Sequence, residues 1–176
     1  MFEKIIETGI LDKMVTNEGK AVNEFGDQPV LLVFLRQFGC IFCREALSEI
    51  SRVRAQIEGF GTKIVFIHMS DNETAAKYFI EYNLDNPTHV SDPDQEFYKG
   101  FGLLKGNFQQ LFGLQTWVRG FKLGKDQGIL PQKQIGDGLQ MPGVFLLHEN
   151  KIKEHFVHQE ISQKPDYMKM LECCVN

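Results

Sequence analysis

The chain has 176 residues, of which 43% are hydrophobic, and its formal net charge is −4 at pH 7. This length and composition suit one domain with a buried core, spanning residues 1–176. The net charge and the absence of a long basic block give no support to nucleic-acid binding. No apolar stretch reaches the ~20 residues of a membrane-spanning helix, and the first residues are too polar for a signal peptide. We therefore expect a cytoplasmic protein, whose cysteines stay reduced unless they are catalytic or act as sensors.

The N-terminal part of the chain predicts a hairpin, a buried strand and a helix. Turn residues Asn17 and Gly19 separate two short apolar runs within residues 10–25, which favours a β-hairpin. The apolar run 30–35 is typical of a strand buried on both faces. Apolar residues at helical spacing then predict a helix over 46–58, which ends at a glycine.

The following segments predict further alternation of strands and helices. We expect strands at 63–69, 88–91, 144–147 and 151–158, and helices after Ser70, after Asp92 and from Pro165 onward. Ser70 and Glu73 match a capping box, and Asp92 precedes Pro93 as a cap precedes the first helical position. The order of elements predicts a right-handed parallel βαβ unit followed by an antiparallel hairpin.

The aromatic segment, residues 107–123, has few charges and many large apolar side chains. We favour a helix packed over the sheet or over the edge of the active site. The alternative is an exposed apolar face that binds a partner, a lipidic substrate or a membrane surface. The Gly- and Gln-rich residues 125–140 lack periodicity and predict a loop.

Cys40 and Cys43 stand where the first buried strand gives way to a helix. Unpaired N–H groups and the positive dipole end of a helix favour a thiolate there, and two cysteines in one turn can close a disulfide. A zinc site is the first alternative, but Cys173 and Cys174 are adjacent and poorly placed to complete it. Two inert buried thiols are the second alternative. We favour redox chemistry.

Three blocks of sequence resemble the peroxiredoxin-like branch of the thioredoxin superfamily, of the AhpC/TSA type and its peroxiredoxin-like 2 subgroup. The blocks are Phe34 to Glu45, Asp92-Pro93 with Tyr98 to Leu103, and Gly136-Asp137 with Gln140 to Phe145. The resemblance implies an α/β thioredoxin-like fold, with a mixed central sheet flanked by helices. To this the chain adds the N-terminal hairpin and an insertion, at about residues 103–140, before the last hairpin.

The resemblance also implies roles for individual residues. Cys40 matches the nucleophilic first cysteine of thioredoxins, and Cys43 matches their resolving cysteine, yet peroxiredoxins keep their peroxidatic cysteine at the position of Cys43. Met141 and Pro142 match the cis-proline that faces the disulfide, and only an X-Pro bond adopts cis at low cost. The chain departs from both families, because Cys40 replaces a Thr and Ile41-Phe42 separates the cysteines.

The leading hypothesis is a thiol-dependent oxidoreductase, a thiol peroxidase or a thiol-disulfide oxidoreductase. One of Cys40 and Cys43 attacks a peroxide or disulfide, and the other closes a Cys40–Cys43 disulfide. The sequence does not say which cysteine attacks. Arg36, Arg44 and Arg119 are candidate cations for the thiolate, and the alternative for each is a salt-bridged surface arginine.

We expect a peroxide or disulfide substrate and a thiol electron donor, which is a thioredoxin-like protein or glutathione. No metal and no cofactor is expected, and a homodimer is left open. Cys173 and Cys174 are either a mobile resolving pair or idle terminal cysteines. The alternative function is a non-enzymatic redox sensor or partner-binding module, in which residues 107–123 dock a partner when the cysteines change state.

Overall fold

The computed structural model describes residues 9–172. Its strands are β1 (Val30–Phe34), β2 (Lys63–His68), β3 (Thr88–Ser91), β4 (Gly143–His148) and β5 (Lys151–Val157). Its α-helices are α1 (Ile10–Lys13), α2 (Ile41–Gly59), α3 (Asn72–Glu81), α4 (Glu96–Gly100), α5 (Phe108–Phe112), α6 (Leu114–Gln127) and α7 (Tyr167–Leu171), and a 3-10 helix covers Val22–Phe25. These bounds confirm the predicted strands to within about two residues.

The five strands form one mixed sheet in the order β3-β2-β1-β4-β5. The pairs β1–β2 and β2–β3 are parallel, whereas β1–β4 and β4–β5 are antiparallel. The predicted parallel βαβ unit and the predicted C-terminal hairpin are therefore both present, joined through β1. The cysteines follow the carboxyl end of this central strand, which is an edge where ligands commonly bind in open α/β sheets.

Helices cover both faces of the sheet, which explains why β1 is apolar along its whole length. On one face, Leu31 and Val33 pack with side chains of α2, α3 and α7. On the other face, Leu32 and Phe34 pack with side chains of α1 and α4. Alternate residues of one strand thus serve two separate parts of the core.

The predicted N-terminal hairpin is wrong in most of its length. Residues 10–25 form α1 and the 3-10 helix, and Val15 and Ala21 make only an isolated antiparallel bridge. The buried residues Ile10 and Met14 are four apart, which is helical spacing, and both pack on the sheet. Burial of this short apolar stripe outweighs the turn signal.

The first turn of α3 is capped by Asp71, not by Ser70 as predicted. The Asp71 carboxylate accepts a hydrogen bond from the backbone N–H of Thr74 at 2.8 Å. The Ser70 hydroxyl instead lies 3.1 Å from Nδ1 of His68. The Ser70 hydroxyl, which the sequence pattern predicted as the helix cap, is therefore hydrogen-bonded to a buried histidine instead.

Asp92 caps α4 from outside the helix. The helix begins at Glu96, so Pro93 is not its first residue as predicted. The Asp92 carboxylate accepts the backbone N–H groups of Glu96 and Phe97 at 2.9 Å each, and that of Tyr98 at 3.3 Å. Three otherwise unpaired donors are satisfied by one buried side chain.

Residues 103–140 join α4 to β4 and carry α5 and α6. The predicted helix in the aromatic segment is confirmed, but α6 continues to Gln127, so the predicted loop is shorter than 125–140. An isolated bridge between Lys105 and Gln140 closes the base of this excursion. Among residues 9–172, no helix has both the length and the apolar character needed to cross a bilayer.

Candidate active site

The two central cysteines occupy the start of α2. Cys40 is the N-cap residue, in an extended conformation (φ −74°, ψ 128°), and Cys43 lies in the first helical turn. Both are free thiols and both are buried. Their position at a helix N-terminus is the one predicted from the sequence, and the helix dipole there favours negative charge on sulfur.

Arg36 contacts both sulfurs from the segment between β1 and α2. Its backbone N–H donates to Sγ of Cys43 at 3.2 Å, and its Nη1 donates to Sγ of Cys40 at 3.2 Å. Its Nη2 donates to the carbonyl oxygen of Gly138, in the loop between α6 and β4. A buried guanidinium is thus placed against one sulfur, while the backbone of the same residue holds the other.

The surroundings of the two sulfurs separate their acidities. A hydrogen bond from the Cys43 thiol and the charge of Arg36 lower the pKa of Cys40 to about 6, although burial opposes this change. The hydrogen bond to Cys40 and burial raise the pKa of Cys43 well above its ordinary value. The surroundings of the pair therefore favour negative charge on Cys40 over negative charge on Cys43.

The loop after α6 covers the segment that carries the cysteines. The Gly39 carbonyl accepts the backbone N–H of Gln132 at 3.0 Å. A Cβ at Gly39 would lie 2.2 Å from the carbonyl oxygen of Lys133, so this position has no room for a side chain. The Gln37 amide oxygen accepts the N–H of Gly39 at 2.8 Å and that of Ile135 at 3.3 Å. Gln37 therefore ties the cysteine segment to the loop.

Tyr98 is hydrogen-bonded to the backbone at the C-terminal end of β1. Its hydroxyl donates to the carbonyl oxygens of Leu35 and, at 3.1 Å, of Ile67. The side chain is fully buried, and burial raises the pKa of this phenol well above its ordinary value, so the group remains a donor. Tyr98 fixes the strand end from which Arg36 departs.

The structure sets Arg44 and Arg119 apart from Arg36. The Arg44 guanidinium pairs with Glu81 at 2.5 Å and donates to the carbonyl oxygen of Leu130 at 2.5 Å. The Arg119 guanidinium binds both carboxylate oxygens of Glu45 at 2.7 and 2.8 Å. Both arginines match the salt-bridged alternative, since each links α2 to a neighbouring segment.

Met141 and Pro142 lie beside the cysteines, but the predicted cis bond between them is wrong. Met141 is buried in an apolar cluster with Cys40 and Cys43, and Pro142 lines the same cavity as the two cysteines. The peptide bonds of residues 9–172 contain no cis isomer. Trans is the isomer that an X-Pro bond favours by about 0.5–1 kcal/mol. The Met141 carbonyl accepts a hydrogen bond from the side-chain Nε2 of Gln140 at 3.2 Å.

A narrow cavity of about 30 Å³ opens beside the sulfurs. Besides Arg36 and the cysteines, its lining includes Glu45 and His158. Glu45 is buried and held by Arg119. Burial lowers the pKa of His158 to about 4, and its Nδ1 lies 3.1 Å from the Pro142 carbonyl oxygen. The cavity has room for a molecule about as large as one water.

Sequence reasoning assigned no role to four residues that shape this site. Gln37, Glu45 and Tyr98 belong to the sequence blocks that carry the family resemblance, so the signal for them was present. His158 directly follows β5 without any motif around it, and only the antiparallel pairing of β4 with β5 brings it to Pro142. No sequence pattern could have found it.

Fold and site together define a thioredoxin-like protein with a pair of free cysteines at the start of its first long helix. The AhpC/TSA family model matches residues 12–155, so the chain belongs to the AhpC/TSA family. This confirms the resemblance predicted from the sequence, and with it an oxidoreductase of the thiol peroxidase or thiol-disulfide type.

Similar sequences come from the same subgroup. The chain is 29% identical over 159 residues to the prostamide/prostaglandin F synthase of Salmo salar, and the aligned region covers 88% of this chain and 78% of that protein. It is 30% identical over 135 residues to the enzyme of the same name from Xenopus tropicalis, with coverage of 74% and 66%. These relatives are peroxiredoxin-like 2 proteins, the subgroup predicted from the sequence.

Similar solved structures are peroxiredoxins. Xanthomonas campestris peroxiredoxin Q matches with a TM-score of 0.64 at 12% identity, over 89% of this chain and 87% of that chain. Peroxiredoxin 6 of Arenicola marina matches with a TM-score of 0.61 at 10% identity, over 90% and 66%. These likenesses confirm the predicted thioredoxin-like fold.

Proposed function

We propose that Cys40 and Cys43 form a redox couple that reduces hydroperoxides. The observation that carries this proposal is the double contact of Arg36, which donates to both sulfurs and favours negative charge on Cys40. Cys40 is the attacking residue, because a thiolate is the nucleophilic form of cysteine. Cys43 is the resolving residue.

The chemistry balances without a further group from the protein. The Cys40 thiolate attacks one oxygen of the O–O bond and becomes a sulfenic acid. The other oxygen leaves as an alkoxide and takes the proton of the Cys43 thiol, which gives an alcohol. The resulting Cys43 thiolate attacks the Cys40 sulfenic acid, a disulfide forms and hydroxide leaves. Arg36 stabilises the negative charge at the start of this sequence.

An external thiol donor returns the couple to its reduced state. Two thiol groups, from one thioredoxin-like protein or from two molecules of glutathione, reduce the Cys40–Cys43 disulfide and are themselves joined in a disulfide. Cys173 and Cys174 lie outside the described residues, so a resolving role for them stays a prediction. The cytoplasm stays the predicted compartment, and a homodimer stays open.

The substrate class follows from the cavity and from the relatives. The narrow cavity of about 30 Å³ suits hydrogen peroxide or the peroxide end of a longer alkyl hydroperoxide. The relatives' name favours a second candidate, the formation of prostaglandin F or a prostamide, since reduction of a cyclic peroxide uses the same attack on an O–O bond. Thiol-disulfide exchange is the third candidate, and it is the only one of the three reactions that needs no peroxide.

The test is hydroperoxide consumption by the reduced protein, with dithiothreitol as donor. We expect the wild-type protein to consume hydrogen peroxide or cumene hydroperoxide faster than dithiothreitol alone. Cys40→Ser should lose the activity by a factor on the order of 10³. A wild-type rate no higher than that of dithiothreitol would refute the peroxidase, and ready exchange with a small disulfide would then favour the thioredoxin-like alternative.

The redox-sensor alternative is separated by gel filtration. A sensor without turnover should change its elution between reductant and oxidant while consuming no peroxide. Unchanged elution together with turnover supports the enzyme.

A further inference from the structure

Helix α6 turns an apolar stripe toward solvent. Leu114, Trp117, Val118 and Phe121 follow the helical spacing i, i+3, i+4, i+7, and their exposed fractions lie between 62% and 80%. Phe108 and Phe112 of α5 extend the stripe, with ring centroids 5.3 Å apart. We call these six residues the aromatic face.

The opposite side of α6 already serves the core. Thr116 and Leu123 are buried, and Leu123 belongs to the apolar cluster that contains Cys40 and Cys43. The helix backbone at Gly120 lies against the Phe42 ring. The aromatic face is therefore additional to the side that holds α6 in place, and folding of residues 9–172 leaves it uncovered. Exposed apolar patches of this kind mark interaction surfaces.

Positive charges predominate beside the aromatic face. Residues 104–127 contain four cations and one carboxylate, that of Asp126, within a chain whose net charge is −4. Two of the four are engaged: Lys105 with Asp137 and Arg119 with Glu45. Lys122 and Lys125 are exposed, and neither forms an ion pair within residues 9–172. On the helix, Lys125 continues the apolar stripe by one turn and Lys122 flanks it.

This charge pattern favours a negatively charged surface over a second copy of the chain as the partner of the aromatic face. A two-fold dimer through this face would bring the Lys122 and Lys125 of both copies to one interface, where Asp126 is the only carboxylate of α5 and α6 that could pair with them. A phospholipid surface that carries anionic headgroups offers apolar chains to the aromatic residues and negative charge to the lysines. We propose that the aromatic face docks α5 and α6 on an anionic phospholipid bilayer.

Docking in this orientation places the active site close to the lipid. The inner side of α6 contacts the cluster around the cysteines, and the outer side contacts the bilayer. The proposal concerns only the surface and does not depend on the peroxidase reaction.

Trp117 is the only tryptophan in the chain, and it lies in the aromatic face. Its fluorescence therefore reports docking without a label. The full-length reduced protein is titrated with vesicles of phosphatidylcholine alone and with vesicles that also contain phosphatidylserine. We expect a blue shift of the emission and co-sedimentation with the anionic vesicles. An unchanged spectrum with both kinds of vesicle, or equal binding to both, would overturn the proposal.

Matched variants locate the binding surface. Phe121→Glu should abolish the blue shift. Ile80→Glu also replaces an exposed apolar side chain by a carboxylate, but on α3, and it should leave the blue shift intact. Reversing Lys122 or Lys125 to Glu should each weaken binding to anionic vesicles by about fivefold or more, since one cation near such a surface contributes about this factor. Equal loss in Phe121→Glu and Ile80→Glu would overturn the assignment.

Gel filtration without lipid separates the competing occupant. We expect Phe121→Glu and the wild-type protein to elute at the same position. A wild-type dimer that Phe121→Glu converts to a monomer would instead identify the aromatic face as a contact between copies and would overturn the proposal.

Discussion

Arg36 is the side chain on which the chemistry of the site depends most. It reaches the Cys40 sulfur with Nη1 and the carbonyl of Gly138 with Nη2, so its position is fixed by contacts on two sides. Its backbone N–H meanwhile holds Cys43. A side-chain substitution at this position removes the charge from Cys40 and leaves the backbone contact to Cys43 in place.

Arg36→Met should therefore shift the titration of Cys40. The wild-type thiolate forms with a pKa of about 6, so its rate of reaction with peroxide should fall as the pH drops through 6. Loss of a neighbouring opposite charge raises a thiol pKa by about 1–3 units, and the variant's midpoint should rise by that amount. The measurement is the pH dependence of the single-turnover rate with hydrogen peroxide.

Arg54→Met is the matched control for this prediction. Arg54 lies on the surface of α2, where it pairs with Glu58 at 2.8 Å. The substitution removes the same charge from the same helix without touching the sulfurs, so its pH midpoint should equal that of the wild-type protein. Equal shifts in both variants would mean that net charge, and not the Arg36 contact, sets the acidity of Cys40.

At this scale the sequence predicted where the two cysteines lie in the fold but not the side chains arranged around them. Cys40 and Cys43 were identified from their position between a strand and a helix, which is a local property. Choosing Arg36 over Arg44 and Arg119 required the partners of each guanidinium, and these come from α2, from α3 and from the loop after α6. Contacts between residues so distant in sequence leave no local pattern.

At the scale of the element, the loop after α6 controls access to the cysteine segment. Gln132 and Ile135 bond to Gly39 and to the Gln37 side chain, and the carbonyl of Lys133 leaves no space above Gly39. The loop therefore closes over the segment only because residue 39 lacks a Cβ.

Gly39→Ala should displace this loop. Because the added methyl group would meet backbone atoms, which cannot rotate away, we expect a loss of about 1–3 kcal/mol in the free energy of unfolding. The cysteines should also react faster with a bulky thiol reagent. Denaturant titration and the rate of labelling measure the two effects.

Gly59→Ala, at the C-terminal end of α2, is the control. A Cβ at Gly59 meets nothing within 4 Å, and the residue is helical, so alanine should stabilise the protein by up to about 1 kcal/mol. A loss of stability in Gly59→Ala as large as that in Gly39→Ala would show that the close approach of the loop is not the cause.

The aromatic segment shows what helical periodicity can and cannot predict. Residues 107–123 have apolar side chains on more than one side of a helix, so the pattern indicated a helix without saying which side is buried. The structure buries Leu111 and Leu123 against the cysteine cluster and leaves Trp117 and Phe121 outside. The choice depends on the shape of the cluster and not on hydrophobicity alone.

For the whole molecule, the two-sided burial of the sheet is the feature most easily predicted. The continuous apolar runs at β1, β2 and β4 have no polar face, which fits only strands covered on both sides. The prediction of an N-terminal hairpin was wrong because the second apolar face of the sheet has to be buried by another element. Residues 10–14 supply that cover as α1, and this need is visible only once the sheet is assembled.

The attack by Cys40 is tested most directly by the mass of one tryptic peptide. Trypsin cleaves after Arg36 and Arg44, so one peptide contains both Cys40 and Cys43 and excludes Cys173 and Cys174. Reduced protein receives one equivalent of hydrogen peroxide and is then alkylated and digested. The wild-type peptide should lose two hydrogens and resist alkylation, and the Cys43→Ser peptide should gain one oxygen, trapped as a sulfenic acid adduct. The Cys40→Ser peptide should remain a reduced thiol. Oxygen on the Cys40→Ser peptide, with none on the Cys43→Ser peptide, would contradict the account and make Cys43 the attacking residue.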